Sequence, residues 1–137
     1  MLPVQIKTWA MNASLENVDH ICADISAWMM ELNLSEHVFS LEILAREALN
    51  NAVIHGSHMD AARKIYAELL CDGQALSLMV RDDGPGFNWQ AVLQREIVDD
   101  HKESGRGIKL YQYYADPVEF NESGNQVILT RKLKSDL

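Results

Sequence analysis

Two runs, KIYAELLCD and QALSLMVRD, alternate apolar and polar residues and meet at Asp72-Gly73. Alternation at period two marks strands, and an Asp-Gly pair between such runs is a strong hairpin signal because it tolerates the positive φ of a tight turn. The two runs are therefore expected as antiparallel neighbours. A sheet begun this way buries one face, and the rest of the chain must cover it.

The preceding segment supplies the cover. Residues 4–10 alternate like a first strand. Ser14 is placed to N-cap a helix running to about residue 32, with Leu15, Val18, Ile21, Cys22, Ile25 and Met29 along one stripe. Ser35 is placed to cap a second helix that ends near His55, with Gly56 as its C-terminal stop. Further on, ESGRGIKLYQYYAD has the texture of a glycine loop opening a short helix, and the last run forms a hairpin turning at 122–125. The order β-α-α-β-β-loop-α-β-β predicts an α+β fold, a two-layer α/β sandwich with helices packed on one mostly antiparallel sheet. At 137 residues the chain is expected to be a single domain, 1–137.

Composition narrows the class. Apolar residues make up 47% and charged residues 23%, the profile of a soluble globular protein. The sequence has no apolar run near the ~18 residues that span a bilayer, and its N-terminus lacks the order of a signal peptide. Membrane association is not expected. Cys22 and Cys71 stand apart without metal-ligand spacing. A reducing cytoplasm is the plain expectation. A net charge of −8 argues against direct nucleic-acid binding, which Lys and Arg drive by neutralising phosphates. A nucleotide is compatible with that charge, since a few backbone N–H groups and a metal can hold a triphosphate locally.

Three short stretches carry chemistry. In EALNNAVIHG, Glu47 and Asn51 lie four apart, on one helix face, and His55 continues the row. A carboxylate accepts a proton, and an amide oxygen is a hard neutral ligand suited to Mg²⁺. A solvated stripe would show the same spacing. In RDDGPGF, Asp82 ends a strand and Gly84 and Gly86 follow. A carboxylate there favours adenine, with its exocyclic amine, over guanine, with its carbonyl; a tight loop alone would also use these glycines. In SGRGIKL, Gly105, Arg106 and Gly107 precede a helix, where free N–H groups can cradle phosphate. A plain loop-to-helix junction reads the same.

Taken together and in this order, the three stretches resemble the N box, G1 box and G2 box of the GHKL (histidine kinase-like) ATPase superfamily. More narrowly, the chain is similar to the anti-sigma-factor serine/threonine kinases of the RsbW type, through Glu47, Asn51, Ala52, His55 and Gly56. The resemblance implies a Bergerat-type ATP-binding fold with ATP and Mg²⁺ as cofactors. It implies Asn51 as the Mg²⁺ ligand, Glu47 as the catalytic base and His55 as a support of the N-box geometry. Asp82 would hold the adenine amine, Gly84 and Gly86 would shape the base pocket, and Gly105, Arg106 and Gly107 would meet phosphate. Asn50 is given no role. Residues 88–104 are expected to act as a lid.

By the same resemblance the partners are an anti-anti-sigma (STAS-type) protein, phosphorylated on serine or threonine, and a sigma factor. A homodimer is expected. Two other functions share the boxes: a nucleotide-gated regulatory binding protein without kinase activity, and the isolated ATP-binding domain of a two-component histidine kinase. Glu47 favours an enzyme over the first. The want of a preceding helix with a phosphoacceptor histidine and its acidic neighbour disfavours the second.

Overall fold

A computed structural model describes residues 3–91 and 103–133, with residues 103–106 described in backbone only. The elements are β1 (Gln5–Asn12), α1 (Leu15–Glu31), α2 (Val38–Asn51), β2 (Lys64–Cys71), β3 (Ala75–Asp82), α3 (Glu103–Tyr114), β4 (Val118–Phe120) and β5 (Gln126–Lys132). A 3-10 turn, Ser35–His37, leads into α2, and a π turn, Ala52–Gly56, continues from it. The five strands form one sheet in the order β1-β2-β3-β5-β4, every neighbour antiparallel. This is the α+β sandwich expected from the strand and helix periods.

Register explains the core. Ile65, Ala67 and Leu69 of β2 alternate inward, and β3 sends Leu76, Leu78 and Val80 the same way. Leu69 pairs with Leu78, and Leu78 with Leu129 of β5, so the apolar rows run continuously across the sheet. Onto this face α1 lays Val18, Ile21, Cys22, Ile25 and Met29, while α2 lays Leu41, Leu44, Ala45, Ala48 and Leu49. The inward position after Val80 on β3 is Asp82, which is why a carboxylate ends up buried at the end of an apolar row.

Some local expectations are corrected. Ser14 caps α1, its hydroxyl accepting from the Asn17 N–H at 3.1 Å. Leu15, expected on the buried stripe, is 42% exposed because it sits at the first helical position, before the helix reaches the core. Ser35 does not cap α2; it begins the 3-10 turn, and α2 starts three residues later without a side-chain cap. Gly105 and Gly107 lie inside α3, which starts at Glu103, and not in a loop that opens it. Both thiols, Cys22 and Cys71, are free, and burial pushes Cys22 up to about 11. Among the described residues no helix is long and apolar enough to cross a membrane.

Candidate functional site

Helix α2 turns its apolar face to the sheet, which leaves Glu47 and Asn51 on the flank that meets α3. From that flank α3 brings Gly107, Ile108 and Tyr111. The floor is the inner sheet face at Val80 and Val127, and Asp82 stands at its end. A cavity of about 390 Å³ lies between them, within the range usual for small-molecule sites.

At one side Asn51 is held by two acceptors. Its Nδ2 donates to Glu47 Oε1 at 3.3 Å and to the hydroxyl of Tyr111 at 3.0 Å. Tyr111 is 3% exposed, and burial, with the nearby Glu47 charge, pushes its phenol far above the usual range, so the hydroxyl stays protonated. The approach of α3 depends on Gly107. A Cβ there would stand 2.8 Å from Glu47 Oε1 and 3.1 Å from Asn51 Nδ2.

Asp82 is 8% exposed, and its Oδ1 accepts from the Gly84 N–H at 2.7 Å. Burial raises its carboxyl above the usual carboxylate range; the Gly84 bond opposes that only in part. The chain after α2 also closes on Asp82. The π turn carries a five-residue bond from the Ser57 N–H to the Ala52 carbonyl at 2.8 Å. That wider turn lets Gly56 pass so close to Asp82 that a Cβ would collide with the carboxylate. Gly56 does end the helical run, as expected, but it serves this close approach and has no left-handed backbone. Left-handed backbone falls on His58 (φ 52°) and Met59 (φ 61°) instead.

The turn between β4 and β5 braces the G1 loop. Asn121 Oδ1 accepts from Gly124 N–H at 2.9 Å and Gln126 N–H at 3.1 Å, and its amide nitrogen donates to Asn125 Oδ1 at 2.6 Å. Asn125 Nδ2 in turn donates to the Gly84 carbonyl at 3.2 Å. Phe120 gathers Phe87 edge-on at 5.5 Å and Trp89 stacked at 5.4 Å. Phe87 and Phe120 give the cavity an aromatic wall.

Of the residues expected at the site, Glu47, Asn51, His55, Asp82, Gly86 and Gly107 line this cavity. His55 is exposed at its edge. Gly84 is buried behind Asp82 and acts on the site through its N–H. The side chain of Arg106 and most of the expected lid, residues 92–102, lie outside the described residues. Gly105 is described in backbone only, in the first turn of α3. Tyr111, Asn121, Asn125 and Phe120 were not among the expected site residues. Tyr111 follows Gly107 by four, the spacing that places two residues on one helix face, so its signal was present.

Aromatic side chains and a buried carboxylate at one end of a cavity, opposite an acid–amide pair on a helix, are the arrangement of an ATP-binding domain of the histidine kinase-like class. The chain belongs to the histidine kinase-like ATPase domain family, which its residues 11–131 match. It is similar to proteins named anti-sigma F factor. It is 27% identical to that of Bacillus thuringiensis over 131 residues, covering 90% of each chain. To that of Oceanobacillus iheyensis it is 25% identical over 104 residues, covering 72% of this chain and 71% of the relative. The resemblance expected from the three boxes is thus found.

Proposed function

We propose that this protein is an ATP-dependent serine/threonine protein kinase and anti-sigma factor, a single histidine kinase-like ATPase domain that acts as a homodimer in the cytoplasm. The observation that carries the reading is that Glu47, Asn51 and Asp82 line one cavity. Its similarity to anti-sigma F factors over 90% of its length supports the output.

In this reading the adenine amine donates to Asp82, with the ring against Phe87 and Phe120. The phosphates lie toward Glu47, Asn51 and the start of α3, where Gly105, Arg106 and Gly107 meet them. Asn51 offers one neutral oxygen, the kind of donor Mg²⁺ takes when water and phosphate fill the rest of its shell. Bound there, Mg²⁺ supplies charge neutralisation on the phosphate oxygens. Glu47 takes the proton of a serine or threonine hydroxyl of an anti-anti-sigma (STAS-type) partner. The hydroxyl oxygen bonds to the γ-phosphorus, and the bond to ADP breaks. Phosphorylated, the partner no longer competes, and the protein holds its sigma factor.

The test is transfer of label from γ-labelled ATP to a STAS-type partner by the wild type and by Glu47→Gln. Loss of labelling by roughly a hundredfold or more in the variant, with nucleotide still bound, fits a general base. Undiminished labelling removes Glu47 from that role. ATP binding without transfer to any partner would leave a nucleotide-gated binding protein in place of the kinase.

A further inference from the structure

We infer that Tyr111 is a positioning residue: its hydroxyl anchors the Asn51 amide so that Oδ1 remains available to the metal ion of a bound nucleotide. The inference rests on the nucleotide-binding reading above and deepens it.

An asparagine amide has two ends of nearly equal shape and opposite chemistry. Glu47 decides which end faces it. A carboxylate only accepts, so the amide presents nitrogen, and the 3.3 Å separation is a long bond. A single long contact sets polarity but leaves the side chain loosely held. Tyr111 supplies the second, shorter contact at 3.0 Å, from a helix that returns sixty positions along the chain. Both N–H groups of Asn51 are then engaged, and Oδ1 has no hydrogen-bond partner among the described residues.

The hydroxyl is not required for packing. Tyr111 is buried among apolar residues, and a phenylalanine would fill the same volume. Among the described residues Asn51 is its hydrogen-bond partner. A buried hydroxyl facing this amide therefore has its effect on Asn51.

The experiment is a titration of a non-hydrolysable ATP analogue by calorimetry, in EDTA and in excess Mg²⁺, with wild type, Tyr111→Phe and Tyr111→Met. The two variants fill the space without the hydroxyl in different ways, and a melting curve confirms that each is folded. Wild type binds more tightly with Mg²⁺. Whatever affinity the variants lose in EDTA through the altered cavity wall, they lose about fivefold more in Mg²⁺, the effect of one hydrogen bond on the Mg²⁺-dependent gain. An undiminished gain in a folded variant overturns the inference. Equal weakening in both conditions also overturns it, since that is what a purely structural tyrosine gives. A wild type that binds nucleotide without any Mg²⁺ gain removes the inference while leaving the adenine site; a wild type that binds none removes the functional reading as well.

Discussion

The backbone of Gly56 lies against the carboxylate of Asp82 so closely that no side chain fits between them. The end of the α2 segment and the end of β3 therefore meet at this carboxylate. Its burial follows from the contact, since Gly56 and Gly84 cover what the sheet leaves open.

That burial makes Asp82 costly in the empty protein. Its folded pKa is raised above the unfolded value of 3.8, so the fold binds the proton more tightly than the unfolded chain. The sign follows: the penalty is absent well below 3.8, grows as pH rises from there, and is complete once pH has passed the raised folded pKa. Asp82→Asn removes it and keeps an oxygen for the Gly84 N–H. That bond orients the new amide with its nitrogen toward the adenine amine, donor against donor. The variant should melt about 2–4 °C higher without ligand, the shift of ~1 kcal/mol in a chain of this size. It should bind ATP at least tenfold more weakly, given ~1.5–3 kcal/mol for a hydrogen bond to a charged group. Scanning calorimetry and a nucleotide titration at pH 7 check both.

Gly107→Ala separates helix stability from site geometry. In a helix, alanine is favoured over glycine by ~0.8–1.0 kcal/mol. The added Cβ, 2.8 Å from Glu47 Oε1 and 3.1 Å from Asn51 Nδ2, pushes the acid–amide pair aside. The expected outcome is a melting temperature near wild type with nucleotide affinity down by about tenfold or more, as displacement of the acid–amide pair proposed to meet phosphate and metal implies. Unchanged affinity would mean that α3 shifts freely over Glu47.

These residues differ in how far the sequence revealed them. Strand positions on β2, β3 and β5 were legible because alternation is a local property, and Asp82 was legible as the acid that ends a strand before Gly84 and Gly86. Glu47 and Asn51 were legible by helical spacing. Gly56 was legible as necessary but not for the right reason. A glycine at a helix end looks the same whether it serves φ or a close approach, and only the position of Asp82 separates the two. Ser35 looked like a cap, yet the 3-10 turn it begins moves the start of α2 to Val38. Tyr111 shares a helix face with Gly107, a signal its spacing carried, but its partner Asn51 lies across a tertiary gap, as Gly84 does from Asn125, and no local pattern names such partners.

Asn121→Ala tests the brace under the G1 loop. The change removes two acceptor contacts within the β4–β5 turn and takes one of two donors from Asn125 Oδ1, which keeps the Ser123 hydroxyl at 3.1 Å while Asn125 Nδ2 holds the Gly84 carbonyl. A loss of ~1–2 kcal/mol in stability is expected, within the range for partly buried side-chain hydrogen bonds to backbone. The sharper reading is local. Amide hydrogen exchange at Gly84 and Gly86 should quicken more than at Leu69 or Leu78 in the sheet centre. Uniform quickening would mean that the turn serves global stability alone.

His37 makes stability depend on pH from the opposite end of α2. It is 7% exposed, its Nδ1 accepts from Arg131 Nε at 3.1 Å, and Arg131 also donates to the Tyr114 carbonyl at 2.9 Å, at the end of α3. Protonation would put a hydrogen on Nδ1, break that bond and set two cations together. Burial first, then the Arg131 charge, lower its pKa from 6.5, against a smaller opposing pull from Glu36, 3.7 Å from Nε2. The folded protein thus favours the neutral ring. This contribution to stability is full above 6.5 and is lost as pH falls from there through the lowered folded pKa. His37→Gln has no such group. At pH 8 the variant should melt below wild type, by about 2–4 °C for ~1 kcal/mol of lost packing and bonding. That gap should narrow steadily as the buffer is taken toward pH 5. Melting curves of both proteins across pH 5–8 decide the matter, because a gap that stays constant would mean that His37 does not titrate with unfolding.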